Sequence, residues 1–195
     1  MLQAIHNIFN QPVLRRLFLK VRYVLALILI AVLLRYMRPD LLLQAFAVSM
    51  IGELIQLWSF ACLVKNEELA ARGPYVMVRN PMYLGRFFLV LGFVILFGNV
   101  YLIIAYTVFY YFYMVNRVAR EERHLKQVLG KPYENYCKTT NPFLPSLTRL
   151  AKKEVRFFKW NVLISNNGHW NLLSVLVVYA ALYGYTLYMS TLLSH

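Results

Sequence analysis

Two polar segments of this 195-residue chain hold the side chains best suited to chemistry. The first runs from Gly73 to Gly85 and includes Tyr75, Val78, Arg79, Asn80, Pro81 and Tyr83. The second begins with the adjacent carboxylates Glu121 and Glu122 and continues through Gly130, Tyr133 and Tyr136 to Pro145. Neighbouring carboxylates repel unless something compensates them. They suit the two hydroxyls of a ribose, or an ammonium or similar cation. The faces of Tyr75 and Tyr83 attract cations, and Arg79, set before an Asn-Pro pair where a helix starts, suits an anionic acceptor. Each residue also has a plainer reading. Arg79 binds lipid phosphate and the tyrosines anchor at an interface. Gly73 and Gly85 punctuate the chain, and Glu121 and Glu122 pair with Arg117 and Lys126 at the helical spacing of four.

The elements that must position these residues are membrane helices. Sixty per cent of the residues are hydrophobic, mean hydropathy is +0.51, and the formal net charge is +13. A chain this apolar does not keep its surface from water as a soluble globule. Apolar runs between basic clusters favour a membrane over nucleic acid as the partner of that charge. Spans are expected over 23–37, 41–64, 82–98, 100–116 and 171–193. The uncharged run from Phe87 to Val115 is long for one span and short for two. Gly98-Asn99 near its middle closes a tight turn, and Pro81 suits a first helical position, so a hairpin is expected. With five spans and an inner amino terminus, the segments 65–86 and 117–145 share the cytoplasmic side and only Arg35 and Arg38 face outward.

Other features carry less. Cys62 and Cys137 lie in dissimilar surroundings, and His6, His124, His169 and His195 are scattered, so neither a disulfide framework nor a metal site is expected. The Arg15-Arg16 pair lacks a following cleavage site and reads as a positive-inside anchor. Over 147–162, Leu147, Ala151, Val155, Phe158 and Val162 fall on one helical face and Arg149, Lys152, Lys153 and Arg156 on another, which predicts an amphipathic helix on the inner leaflet. Glu53, deep in the second span, is a functional candidate by default, or with Gln56 a link between helices.

Gly73-Pro74-Tyr75, Val78-Arg79-Asn80-Pro81 and Tyr83-Leu84-Gly85, followed by Glu121-Glu122 and the Gly130, Tyr133, Tyr136, Pro145 series, resemble the isoprenylcysteine carboxyl methyltransferase and phospholipid methyltransferase superfamily. The resemblance covers the chain from about the second span to Pro145. It implies an all-α membrane-embedded methyltransferase that uses S-adenosyl-L-methionine on a lipidic or isoprenoid-bearing acceptor. It further implies catalytic roles for Arg79, Asn80 and Tyr83, and cofactor contacts from Gly73, Tyr75, Val78, Pro81, Glu121, Glu122, Tyr133 and Tyr136. Many members have His where this chain has Asn80, which argues against an imidazole-dependent step. A multi-pass protein is implied, in a bacterial inner membrane rather than the endoplasmic reticulum, with membrane lipids as partners. Two other classes stay open: a nicotinamide-dependent relative of the sterol reductases, which carry additional spans, and a non-enzymatic protein whose basic face binds anionic lipid.

Overall fold

A computed structural model describes residues 12–63, 69 and 71–193, with backbone alone for 12–19, 22, 26 and 193. The readings made for His6, His195 and the side chains of Arg15 and Arg16, with the expected boundary at 64 and 65, lie outside the described residues. Helix is the only regular structure among them. The α-helices are α1 (Pro12–Tyr36), α2 (Leu42–Phe60), α3 (Pro81–Ile95), α4 (Val100–Leu129), α5 (Lys131–Thr139), α6 (Trp160–Ser165) and α7 (Gly168–Leu193). Three stretches are long and apolar enough to cross a membrane: Pro39–Phe60, Val100–Leu129 and Gly168–Leu192. Shorter apolar helices run over Tyr23–Tyr36 and Pro81–Ile95.

Small residues bring α2 and α3 together. Ala45, Ser49, Gly52 and Ser59 lie buried along α2, opposite Gly85 and Gly92 of α3. A Cβ on Gly52 would stand 2.3 Å from the Leu89 nitrogen and 2.4 Å from the Gly85 oxygen, both backbone atoms. Close backbone approach of this kind is how helices associate where lipid removes the hydrophobic drive. Helix α7 packs on the same pair through Val175, Tyr179 and Leu182. The Tyr179 hydroxyl lies 2.7 Å from Ser49 Oγ and donates to the Ala45 carbonyl at 3.0 Å. Asn171 donates to Glu53 Oε2 at 2.7 Å, so Glu53 links α2 to α7, while its other oxygen is buried without a hydrogen bond. Gly52→Ala is expected to destabilise the fold by about 1–3 kcal/mol through overpacking against backbone. Gly184→Ala on α7, where a Cβ meets nothing within 4 Å, is expected to be neutral or stabilising by up to about 1 kcal/mol. Thermal unfolding in detergent checks both signs.

The turn expected at Gly98-Asn99 joins α3 to α4. Gly98 has φ +59°, a region glycine enters without steric cost, and the Asn99 side chain caps α4 by accepting from the Tyr101 and Leu102 amides. Tyr106 then donates to the Phe87 carbonyl and Tyr110 to the Tyr83 carbonyl. As one residue number rises the other falls, so the helices run antiparallel. Arg38 packs against Gly98 and its amide donates to the Leu96 carbonyl, placing it at the turn end of the bundle. Arg79, Glu121, Glu122 and Arg149 gather at the opposite end.

The single amphipathic helix expected over 147–162 does not form. Short 3-10 turns occupy Leu147–Arg149 and Lys153–Arg156, and α6 starts only at Trp160. Tertiary bonds outweigh the periodicity. Arg149 donates from Nη1 to the Val76 carbonyl and the Thr140 hydroxyl, and from Nη2 to the Thr139 carbonyl. Val155 is buried against Val76, Met77 and Trp58, whereas Leu147, on the face assigned to lipid, is exposed.

Candidate active site

The first polar segment is built around two tight elements. Gly73 opens a 3-10 turn with φ +59°, and a Cβ there would lie 2.3 Å from Cys62 Sγ, so both the turn and the space require glycine. The turn buries Tyr75 and leads into Val78, which is almost wholly enclosed. Pro81 is the first residue of α3, where its missing N–H is no loss. Asn80 occupies the cap position yet makes no cap bond. Its amide instead donates to Glu122 Oε1 at 3.3 Å and to the Pro142 carbonyl at 3.2 Å.

That choice ties the two polar segments together. Arg79 donates from Nη1 to the Cys137 carbonyl at 2.9 Å, and its backbone amide donates to the Asn141 carbonyl at 2.8 Å. Its Nε lies 3.1 Å from Glu122 Oε1 but makes no hydrogen bond, so the contact is coulombic rather than directional. The two side chains are only 11% and 16% exposed. A second, wetter group stands beside it on α4. Tyr83 donates to Glu121 Oε1 at 2.8 Å and accepts from Arg117 Nε at 3.2 Å, while Arg117 and Glu121 pair at 3.2 Å with about two fifths of each side chain exposed. The Arg117–Glu121 pair has the expected helical spacing. Glu122 turns to Arg79, not Lys126.

Helix α5 closes the cluster from the far side. Gly130, at φ +58° with open space around it, makes the bend between α4 and α5. Tyr133 is buried, and the Tyr136 hydroxyl donates to the Tyr75 carbonyl at 2.6 Å. The Tyr75 hydroxyl is itself buried with no partner. Burial, and then the nearby Cys62, Tyr136 and Glu121, pushes the Tyr75 hydroxyl far above its usual range. Tyr133 and Tyr136 are raised chiefly by burial too. All three therefore stay protonated donors at neutral pH.

Arg79, Asn80 and Glu122 thus form one group and Tyr83, Glu121 and Arg117 a second beside it, with Gly73, Tyr75, Tyr133 and Tyr136 adjoining them and Val78 and Pro81 in their buried backing. Glu53 belongs to the α2–α7 contact instead. Reasoning from the sequence did not give Arg117 its bond to Tyr83, although its spacing of four from Glu121 pointed there. It also missed the grip of Arg149 on the Thr139-Thr140 and Val76 backbone, for which no local signal exists. Arg86 is a further addition: exposed, with Cζ 5.7 Å from the centre of the Tyr83 ring.

The apolar helices and this cluster define a helical integral membrane protein whose polar residues converge at one end of the α3–α4 hairpin. The phospholipid methyltransferase family model matches residues 21–132, more than half of the chain and all of the Arg79–Glu122 contact. The chain belongs to the phospholipid methyltransferase family, and is a membrane methyltransferase in that sense. No curated protein and no solved structure matches it.

Proposed function

We propose that the protein transfers a methyl group from S-adenosyl-L-methionine to the polar head of a lipidic acceptor, within the cluster formed by Tyr75, Tyr83, Glu121 and Glu122. The observation that carries this reading is the union of the two polar segments, Asn80 reaching Glu122 across 42 residues of sequence. The donor set fits the methyl donor. Two carboxylates offer acceptors for ribose hydroxyls or an ammonium group, and the buried Tyr75 hydroxyl lacks a partner that a ligand atom would supply. Glu121 is the more available carboxylate, since its pair with Arg117 is half-exposed and easily exchanged. When bound, S-adenosyl-L-methionine supplies a methyl group already activated on sulfur, so the protein has mainly to align the nucleophile and exclude water.

The residues divide that work. Arg79, held by Glu122 and the Cys137 carbonyl, fixes the first segment against the second. Arg86 has no ion pair among the described residues and lies over Tyr83, where it suits an anionic head. An amine acceptor must lose a proton, and Glu121 or a water is the base available. Isothermal titration of the purified protein with S-adenosylhomocysteine and, separately, NADPH tests the reading. Saturable binding of the first and none of the second is expected. NADPH binding would favour a reductase, and binding of neither a non-enzymatic protein.

Five spans with an inner amino terminus complete the proposal. Arg38 stands at the turn end and the other basic groups of the chain's middle and later segments at the cluster end, a distribution that supports a cytoplasmic cluster. Cys137, partly exposed on α5, is expected to react with an impermeant thiol reagent only from the cytoplasmic side, while buried Cys62 stays protected. Labelling of Cys137 from outside intact cells would overturn this topology.

A further inference from the structure

A groove of about 630 Å³ lies between the end of α2, the 153–160 segment and the start of α7, apart from the Glu121–Glu122 cluster. Leu54, Leu57, Trp58, Phe158, Trp160 and Leu172 make its apolar wall, with Arg156 and His169 at its polar side. Trp170 packs beside His169, so all three tryptophans of the chain gather here, as tryptophan does at the boundary between hydrocarbon and headgroups. Two more cations stand next to Arg156 along the chain and across from it. Arg72 Cζ is 5.2 Å and Lys159 Nζ 5.5 Å from the centre of the same Phe157 ring. That ring is held in place, because the Phe157 carbonyl accepts from Trp58 Nε1 at 3.3 Å and from Cys62 Sγ at 3.2 Å, and the Lys159 amide donates to the Ala61 carbonyl. Among the described residues Arg72, Arg156 and Lys159 form no ion pair. Glu154, the nearest carboxylate in sequence, lines a separate cavity with Arg149 and Lys152.

We propose that this groove binds one anionic phospholipid of the bilayer, an acyl chain along the leucine and tryptophan wall and the phosphate among Arg72, Arg156 and Lys159. Charge complementarity selects the occupant. An apolar trough alone accepts any hydrocarbon chain, but Arg156 on its lining, with Arg72 and Lys159 around the adjacent Phe157 and no carboxylate partner for the three among the described residues, favours a headgroup that keeps a net negative charge. A zwitterionic lipid brings its own cation into the same place. The site concerns a resident lipid and does not depend on methyl transfer; it shares only a wall with the proposed active site, since Trp58 Nε1 also lies 3.1 Å from where a Cβ on Gly73 would stand.

The full chain in lipid nanodiscs tests this, with tryptophan fluorescence as the readout and no methyl donor present. Discs of phosphatidylcholine carry a minor fraction of phosphatidylglycerol, and bromine is placed on the acyl chains of one lipid or the other. Brominated phosphatidylglycerol is expected to quench Trp58 and Trp160 as though enriched at least about fivefold over its bulk fraction, the effect of roughly one cation near a lipid phosphate. In the triple variant Arg72→Gln, Arg156→Gln, Lys159→Gln the preference should vanish while brominated phosphatidylcholine still quenches. Lys152→Gln with Lys153→Gln, which removes two nearby surface charges away from the groove, should leave it intact. Quenching in proportion to bulk composition in the unaltered chain would overturn the proposal, as would a preference that survives the triple variant or is lost equally in the lysine control. Because S-adenosylhomocysteine titration is a separate measurement, failure here leaves the methyltransferase reading standing, and the reverse also holds.

Discussion

Glu122→Gln is expected to lower the stability of the protein by about 2–3 kcal/mol, against less than about 1 kcal/mol for Glu121→Gln, although the two residues are neighbours. The difference follows from water. Removing Glu122 strands the Arg79 guanidinium at 11% exposure, and an uncompensated charge in such a place is what makes broken buried pairs costly. The Glu121–Arg117 pair is half-exposed, so solvent takes over from the lost partner. Adding Arg79→Gln to Glu122→Gln should recover much of the loss, which a double-mutant cycle on unfolding in detergent would read directly. The effects on cofactor affinity should run on a different axis. Each carboxylate that accepts a bond from the ligand contributes on the order of 1.5–3 kcal/mol to binding, and Glu121→Gln tests this with little disturbance of the fold. Unchanged S-adenosylhomocysteine affinity in both folded variants would leave the pair a purely structural clasp.

The contrast between these neighbours shows what the sequence could and could not reveal. Local rules gave the apolar stretches that become helices, the Gly98-Asn99 turn, the start of α3 at Pro81 and the Arg117–Glu121 spacing, because each depends on residues near one another in sequence. The hairpin then implied that the two polar segments meet. Which atoms meet was not legible. Asn80 has the residue type of a helix cap but gives its amide to Glu122 and Pro142, and Glu122 prefers a buried arginine from another helix to Lys126 on its own. The segment 147–162 failed for the same reason on a larger scale: its helical periodicity is real, but Arg149 and Val155 are claimed by the backbone and side chains of the Val76 turn. Glu53, open between a functional role and a link between helices, serves as the link through Asn171, a partner that no local rule names.

Catalytic efficiency is expected to rise steeply with the length of the acceptor's hydrocarbon tail. Polar groups at the candidate site sit where α3 and α4 leave the apolar layer, so a head held beside Tyr83 leaves its tail among lipid-facing side chains. Each methylene kept out of water contributes about 0.8 kcal/mol, close to a fourfold change in affinity. A homologous series of acceptors assayed with radiolabelled methyl donor in detergent should therefore climb until the tail's apolar contacts are complete and then level off. Equal efficiency on water-soluble head-group analogues would defeat the lipidic reading. The structure also changes which cation should govern the head. Arg79 is enclosed, ion-paired with Glu122 and hydrogen-bonded to the Cys137 carbonyl, so Arg79→Ala should reduce the folded fraction and impair every acceptor alike. Arg86 is exposed above Tyr83. Arg86→Ala should raise KM for acceptors with an anionic head by about tenfold, one charge-assisted contact in a half-wet site, while sparing neutral amines and leaving S-adenosylhomocysteine affinity unchanged. An Arg86→Ala enzyme that handles anionic and neutral heads as the parent does would remove this residue from head recognition and return the task to the Tyr83–Arg117–Glu121 group.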